Sequence, residues 1–252
     1  MLSFDNARSI NNVGYLLQDK ALSDAVRKEV MYYNPATSAR TPKAEKFKAE
    51  FLNQSQVNEM LVLFKDSVIY IPILLASVYG LRRSEVLGLQ WKNIDFENKS
   101  IHIVQTLQQN TGGSYLDTTK TESSNRTLPM TNDIYNVLDK HKAEQESRQN
   151  LMGNYYIASD FVCTWNNGKV ISPNYLTKTF HSIISKSSLP DIRFHDLRHS
   201  AASNLLEMGF SVVQVADWLG HSSSTTTLNF YAHVDKKSKL NIANALEKVI
   251  DF

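Results

Sequence analysis

The chain has 252 residues, a hydrophobic fraction of 42% and a formal net charge of +2. These values suit a globular protein with one large domain, or one domain plus a fragment, and so small a charge neither indicates nor excludes a nucleic-acid partner. The single cysteine, Cys163, excludes an intramolecular disulfide and a metal site built on several cysteines, and it fits a reducing cytoplasm. No Walker A or GxGxxG motif points to ATP or a dinucleotide.

The first helix is predicted over residues 5–28, where apolar side chains recur at three- and four-residue spacing. Pro35 stops it, because proline removes a backbone donor and restricts the residue before it. Residues 37–48 follow as a basic linker containing Arg40 and Lys43, which suits either a solvated segment or a strap on phosphates. A lone helix must bury its apolar face, so we expect the chain to lack an earlier domain or to use a partner.

From residue 51 onward the pattern is mainly helical. The longest apolar run, residues 68–79, contains Pro72 and is too short to span a membrane, which favours a buried helix. Strands are predicted over residues 101–106, 114–119 and 126–130, and residues 161–165 are a candidate extension of their sheet. The expected fold class is therefore mainly α with a small antiparallel β-sheet (α+β). Helices are predicted near residues 54–65, 68–79, 83–90, 131–148, 173–187, 195–208, 211–219, 224–233 and 236–250.

Two arginines, two histidines and a tyrosine are the residues that most clearly indicate a chemical function. Tyr231 lies ten residues after His221, His195 precedes Arg198 by three residues, and Arg82 starts a predicted helix. Positions i and i+3 share a helix face, and a helix N-terminus favours an anion, so the 195/198 pair can face one phosphate.

Such a set matches the needs of a tyrosine that attacks a phosphodiester. Tyrosine has an ordinary pKa near 10, so it must lose its proton as it attacks. The phosphate gains negative charge in the transition state, which arginine stabilises with two parallel hydrogen bonds. The leaving oxygen needs a proton from a general acid.

Each motif also has a simpler interpretation when it is taken alone. His195 and Arg198 suit a surface histidine and a solvated arginine, and Arg82 suits a charged helix start. His221 suits the C-terminal cap of a helix, and Tyr231 suits core packing with its hydroxyl at the edge.

Taken in order, five motifs closely resemble the tyrosine recombinase family of phage and transposon integrases. The resemblance spans about residues 50–235 and implies the tyrosine recombinase catalytic-domain fold. The motifs are residues 80–89 (GLRRSEVLGL), 120–129 (KTESSNRTLP), 195–202 (HDLRHSAA), 219–221 (LGH) and 231–233 (YAH).

This resemblance implies how the scissile phosphate is held. Arg82 and Arg198 would clamp it, His221 would bond one of its oxygens, and Glu85 would support the first arginine. Candidates for further contacts to DNA phosphates are Arg83, Arg126, Arg40 and Lys43.

The resemblance also implies the chemistry. Tyr231 would be the nucleophile and would leave a 3′-phosphotyrosine, Lys120 would be the general acid for the leaving 5′ oxygen, and His195 would take or share the tyrosine proton. The covalent link keeps the bond energy, so no metal, ATP or other cofactor is implied.

Domain organisation and partners follow from the same resemblance. Residues 1–36 resemble the C-terminal helix of a truncated core-binding domain, residues 37–50 a basic interdomain linker, and residues 51–252 the catalytic domain with its C-terminal helix. That helix packs either on its own domain or on a neighbouring subunit. The implied partners are double-stranded DNA and further copies of the chain, as a tetramer in recombination and a monomer or dimer without DNA, with no membrane, in the cytoplasm of a bacterial or phage-infected cell.

Two other functions stay open at this point. A type IB topoisomerase cuts and reseals DNA with a similar residue set. A non-catalytic DNA-binding fragment is suggested by the missing part of the core-binding domain, although the complete set of motif residues argues against it.

Overall fold

The computed structural model describes residues 19–38, 51–110, 113–118 and 125–221. The chain divides into two units, Met1–Lys48 and Ala49–Phe252. In the first unit, residues 19–27 form helix α1, and Pro35–Ser38 form a short 3-10 helix. The side-chain amide of Asn34 donates to Asp19 and Ser23 of α1, so the Asn-Pro junction folds back along this helix.

Seven helices of the second unit lie where the sequence predicts them, within a few residues. Four of them begin at side-chain caps, at Asn53, Thr131, Ser172 and Ser211, which satisfy first-turn amides. The helices are α2 (Gln54–Leu63), α3 (Tyr70–Tyr79), α4 (Arg83–Gly88), α5 (Asn132–Met152), α6 (Pro173–Ile184), α7 (Asp196–Glu207) and α8 (Val212–Leu219). The predicted helices 224–233 and 236–250 lie outside the described residues.

Helix α3 is the centre of the core. It packs against α2, α4 and α7, and most of its side chains are buried, which is why its sequence is apolar on all sides. Phe180 of α6 stacks on Phe64 after α2 and meets Phe194 edge to face. In the described part of the chain, no helix is long and apolar enough to cross a membrane.

The β-structure forms two small antiparallel sheets. One contains β1 (Ile94–Asp95), β2 (Ser100–Ile103) and β5 (Arg126–Pro129) in the order β1-β2-β5, and the other is a hairpin of β3 (Gln105–Asn110) and β4 (Gly113–Thr118). The predicted fold class, mainly α with small antiparallel β-structure, is confirmed.

The predictions of one continuous strand over residues 101–106 and of a single sheet are wrong. The chain leaves the first sheet at Val104, and β3 packs on α4 instead. The side-chain amide of Gln105 donates to the Gly88 carbonyl at 2.8 Å, which holds the start of β3 against α4. A Cβ on Gly88 would lie 2.7 Å from the Leu107 nitrogen, so only glycine lets the strand backbone come this close.

The predicted extension of the sheet by residues 161–165 is also wrong. Phe161 and Thr164 form only isolated bridges, to Gln90 and Val170. The segment closes a tight turn on itself, in which the Trp165 amide donates to the Lys169 carbonyl, so its donors and acceptors are not aligned along a sheet edge.

Gly88→Ala should lower the free energy of unfolding by about 2–3 kcal/mol, because the added methyl group meets the β3 backbone and not a flexible side chain. Urea unfolding of the two proteins measures this difference. Ser84→Ala on the same helix is the matched control and should change stability by less than about 0.5 kcal/mol. Equal effects of the two substitutions would contradict the close approach of β3 to α4.

Candidate active site

Three helices bring the predicted site residues together. Arg82 is the N-cap of α4 and Glu85 lies in the first turn of that helix. Arg198 lies on α7, one turn after His195 at the helix N-cap, and His221 follows α8.

The carboxylate of Glu85 lies beneath two guanidinium groups. Its side chain is only 1% exposed. Arg82 donates to it from Nη1 at 2.6 Å and from its backbone nitrogen at 2.8 Å, and Arg126 donates from Nη2 at 3.0 Å and Nη1 at 3.2 Å. Burial acts to raise the pKa of Glu85, but the bonds and charges from Arg126 and Arg82 outweigh it and lower the pKa. Glu85 is therefore a buried anion that orients Arg82.

The C-terminal end of α8 is bound by three guanidinium groups. Arg126 Nε donates to the Trp218 carbonyl at 3.0 Å, Arg198 Nη2 to the Leu219 carbonyl at 2.7 Å, and Arg82 Nη2 to the Gly220 carbonyl at 3.0 Å. The last carbonyls of a helix have no intrahelical partner and carry partial negative charge. Cations from three separate elements thus satisfy one helix end and set its position.

Gly220 turns the chain sharply after α8. It adopts the left-handed conformation with φ of 67°, and the His221 amide donates back to the Ala216 carbonyl at 2.9 Å. This termination delivers His221 to the arginines. The two interpretations of His221, as a helix C-terminal cap and as a site residue, therefore describe one and the same position.

Arg198 is buried, with 3% of the residue exposed. Its Nη1 donates to the Gly80 carbonyl at 2.7 Å and its Nε to His221 Nε2 at 3.3 Å. Burial and the nearby charge of Arg82 lower the pKa of Arg198 to about 9, so the guanidinium stays charged at neutral pH. With its bond to Leu219, three of its five N–H donors are used, and two remain for a ligand.

Gly80 is required where Arg198 and α8 meet α3. It has φ of 65°, and a Cβ there would overlap the side chain of Leu219. The glycine that starts the motif at residues 80–89 is thus explained by a left-handed turn and by close packing.

Three histidines near the arginines are held neutral. Burial and Arg198 lower the pKa of His221 to about 4, burial and His195 lower the pKa of His199 to about 4, and burial and Arg198 lower the pKa of His195. Arginine only donates, so His221 Nε2 accepts and its Nδ1 carries the proton. A neutral His195 is able to accept a proton at pH 7.

The start of α7 is fixed by Asp196. This carboxylate is 2% exposed and accepts from Arg193 Nη2 at 2.8 Å and Nε at 3.0 Å. Burial acts to raise the pKa of Asp196, but the hydrogen bonds and charge of Arg193 outweigh it and lower the pKa. The rings of His195 and His199 meet edge to face at 5.0 Å, so the first turn of α7 helps to orient the His195 imidazole.

Two clefts border the arginine cluster. The larger, of 820 Å³, is lined by Arg82, Arg83 and His195 together with polar side chains of β3 and α6. The smaller, of 290 Å³, is lined by Arg126, His221 and the end of α8. Both sides of the cluster are thus accessible to an extended ligand.

The structure brings together Arg82, Glu85, Arg198 and His221, with His195 at the edge of the larger cleft. Arg83 is exposed in this cleft and donates to Thr177 Oγ1 at 2.9 Å, whereas Arg126 is buried behind Glu85. The predicted residues Lys120, Tyr231, Arg40 and Lys43 lie outside the described residues.

Sequence reasoning missed two residues that shape this site. His199 lies one turn after His195, so the i,i+4 spacing was the available signal. Arg193 stands three residues before Asp196 and has the spacing of a local ion pair. In the described part of the chain, no group of three His, Cys, Asp or Glu side chains is placed to hold a metal ion.

Guanidinium groups around a buried carboxylate, with neutral histidines beside them, define a site suited to a phosphodiester on a mainly α fold. The model of the Phage integrase family matches residues 50–238. The chain belongs to this family, the tyrosine recombinases.

Relatives of known type include a protein named "Tyrosine recombinase XerC-like" from Caldanaerobacter subterraneus subsp. tengcongensis. It is 30% identical over 241 residues, which are 88% of this chain and 61% of that protein. The transposase from transposon Tn916 of Enterococcus faecalis is 30% identical over 185 residues, which are 71% of this chain and 45% of that protein. The chain thus spans about three fifths or less of the length of these two relatives.

Solved structures show the same fold. The Tn1549 transposon integrase in complex with transposon right end DNA has a TM-score of 0.76 and 25% identity, over 98% of this chain and 80% of that chain. A lambda integrase tetramer bound to a Holliday junction has a TM-score of 0.58 and 19% identity, over 86% of this chain and 57% of that chain.

The neutral histidines predict a loss of stability in acid. Because the pKa of His199 is about 4 in the folded protein and near 6.5 when unfolded, the unfolded state binds more protons between these values. The free energy of unfolding should therefore fall as the pH drops from about 6.5 to 4. We expect His199, which is 16% exposed, to account for about 1–2 kcal/mol of this loss.

Urea unfolding at pH 7 and pH 4.5 tests this prediction. His199→Gln cannot take up the proton and should lose less stability than the wild type over this interval. The control is Ser84→Ala, which removes no titratable group and should leave the pH dependence unchanged. Identical acid sensitivity of the wild type and His199→Gln would contradict the assignment.

Proposed function

We propose that the chain carries the catalytic domain of a site-specific DNA recombinase of a mobile element, which cuts and rejoins DNA through a 3′-phosphotyrosine. The observation that best supports this is the convergence of Arg82, Arg198 and His221 at one helix end. Tyr231 follows His221 ten residues later in the sequence. Family membership supports the same chemistry.

The proposed reaction begins with phosphate binding. Arg82 and Arg198 keep N–H donors for the non-bridging oxygens, and their charges stabilise the transition state. Glu85 neutralises only part of the positive charge in the cluster, so a net positive charge remains for the phosphate.

Strand cleavage is a direct exchange of two oxygen ligands on phosphorus. The Tyr231 oxygen forms a bond to phosphorus as the bond to the 5′ oxygen breaks. His195 takes the tyrosine proton, which its neutral state at pH 7 allows, and Lys120 gives a proton to the 5′ oxygen. Attack by a 5′ hydroxyl of another strand reverses the exchange, so the step needs neither ATP nor a metal.

Double-stranded DNA and further copies of the chain are the proposed partners. The structural relatives include an integrase in complex with transposon end DNA and an integrase tetramer on a Holliday junction. Recombination requires four strand cuts, which suits a tetramer on DNA. The proposed place of action is the cytoplasm of a bacterial or phage-infected cell, where the DNA lies.

Tyr231→Phe should abolish covalent capture of DNA, because phenylalanine lacks the attacking oxygen. The substrate is a duplex carrying the attachment site of the encoding element, nicked beside the cleavage point so that the released strand diffuses away. The wild type should form an adduct that survives denaturing electrophoresis. Tyr155→Phe, at a tyrosine that is 86% exposed, is the control and should retain wild-type yield.

Other outcomes separate the alternatives. A full yield of adduct with Tyr231→Phe would exclude the proposed nucleophile. Relaxation of supercoiled plasmids that lack the site would instead indicate a type IB topoisomerase. Binding of the site without any adduct would indicate a non-catalytic fragment.

A further inference from the structure

The Arg126 side chain points into the protein, behind the cluster of site residues. It is 8% exposed, and its guanidinium bonds the buried carboxylate of Glu85 on one edge and the Trp218 carbonyl on another. Each of its three guanidinium nitrogens bonds one of these two internal groups, so the side chain is held between α4 and the end of α8. The placement of Arg126 therefore calls for another function.

We infer that Arg126 is a positioning residue, which holds Glu85 and the end of α8 in one frame so that Arg82 and His221 meet the same phosphate. This inference rests on the proposed function. Arg126 reaches the phosphate ligands through two neighbours, Glu85 on the side of Arg82 and Trp218 on the side of His221.

The first link runs through Glu85. Its Oε1 accepts from Arg82 Nη1 at 2.6 Å and from Arg126 Nη1 at 3.2 Å, and its Oε2 accepts from the Arg82 backbone at 2.8 Å and from Arg126 Nη2 at 3.0 Å. Each carboxylate oxygen is thus shared between the two arginines. Without Arg126, the Glu85 carboxylate loses two of the hydrogen bonds that fix its position, and the Arg82 guanidinium then loses its orientation.

The second link runs through the end of α8. The Trp218, Leu219 and Gly220 carbonyls each accept from a different arginine, and Arg126 binds the first of them. His221 follows directly, and its ring accepts from Arg198. Loss of the bond to Trp218 releases one of three restraints on the helix end that carries His221.

Contacts that do not involve Arg126 also hold the elements around it in place. Trp218 stacks on Tyr79 of α3 at 5.8 Å, and the Tyr79 hydroxyl donates to the Pro129 carbonyl at the end of β5. These contacts hold α8, α3 and β5 together independently of the guanidinium. Substitution of Arg126 should therefore loosen the site while the domain still folds.

The test compares Arg126→Gln and Arg126→Lys with the wild type in single-turnover cleavage of the nicked attachment site. Arg126→Gln keeps hydrogen-bond donors but lacks the positive charge and the planar guanidinium that bonds both oxygens of Glu85. Its cleavage rate should therefore fall on the order of 100-fold, as expected for a misplaced catalytic group. Arg126→Lys keeps the positive charge beside Glu85 but not the planar guanidinium. Its cleavage rate should lie between those of the wild type and Arg126→Gln. Arg148→Met on α5, remote from the cluster, is the control and should cleave at the wild-type rate.

Amplitude and binding measurements separate positioning from other roles. A purely structural defect lowers the fraction of protein that forms adduct and leaves the rate of the rest unchanged. Positioning predicts a reduced rate at full amplitude. If Arg126 contacted a DNA phosphate, its substitution would lower the salt dependence of DNA affinity by about one ion. If Arg126 is a positioning residue, its substitution leaves the affinity and the salt dependence as in the wild type.

A substrate with sulfur in place of the 5′ bridging oxygen distinguishes the route of action. Sulfur leaves without a proton, so it should rescue Lys120→Ala but not Arg126→Gln, whose defect is in the placement of Arg82 and His221 and not in protonation of the leaving oxygen. Rescue of Arg126→Gln, a reduced salt slope or an unchanged cleavage rate would each overturn the inference. Failure of the wild type to form any adduct would instead refute the proposed function.

Discussion

The end of helix α8 is the feature on which the candidate site depends. Its last carbonyls have no helical partner, and arginines from three different elements bind them. These elements are far apart in the sequence, so one helix end brings together three guanidinium groups. The same bonds fix His221, because the left-handed turn at Gly220 follows immediately. The same guanidinium groups thus satisfy the carbonyls at the helix end and fix the position of His221.

The buried carboxylate of Glu85 makes this concentration of charge stable. Three guanidinium groups without an anion would repel one another in a poorly solvated site. One carboxylate relieves this repulsion and leaves the cluster with a net positive charge. Burial, together with the charge of Arg198, lowers the pKa of His221 and His195, which holds both rings neutral. In the proposed reaction, Arg82, Arg198 and neutral His221 bind the phosphate, and neutral His195 takes the tyrosine proton.

Local patterns predicted much of this molecule. The spacing of apolar residues predicted the helices, and the apolar run of residues 68–79 predicted that α3 is buried. The order of motifs identified the residues that meet at the site. Long-range contacts were beyond reach: the break at Val104 depends on the approach of β3 to Gly88, and the burial of Arg126 depends on Glu85 and Trp218. No periodicity encodes such contacts, since each joins residues from different elements.

The central claim is that DNA is joined to this chain through the oxygen of Tyr231. Peptide mapping of a trapped adduct by mass spectrometry tests it most directly. The account predicts one modified peptide, in which Tyr231 carries a nucleotide linked through its 3′ phosphate. A nucleotide on any other residue, or a linkage through a 5′ phosphate, would contradict the account.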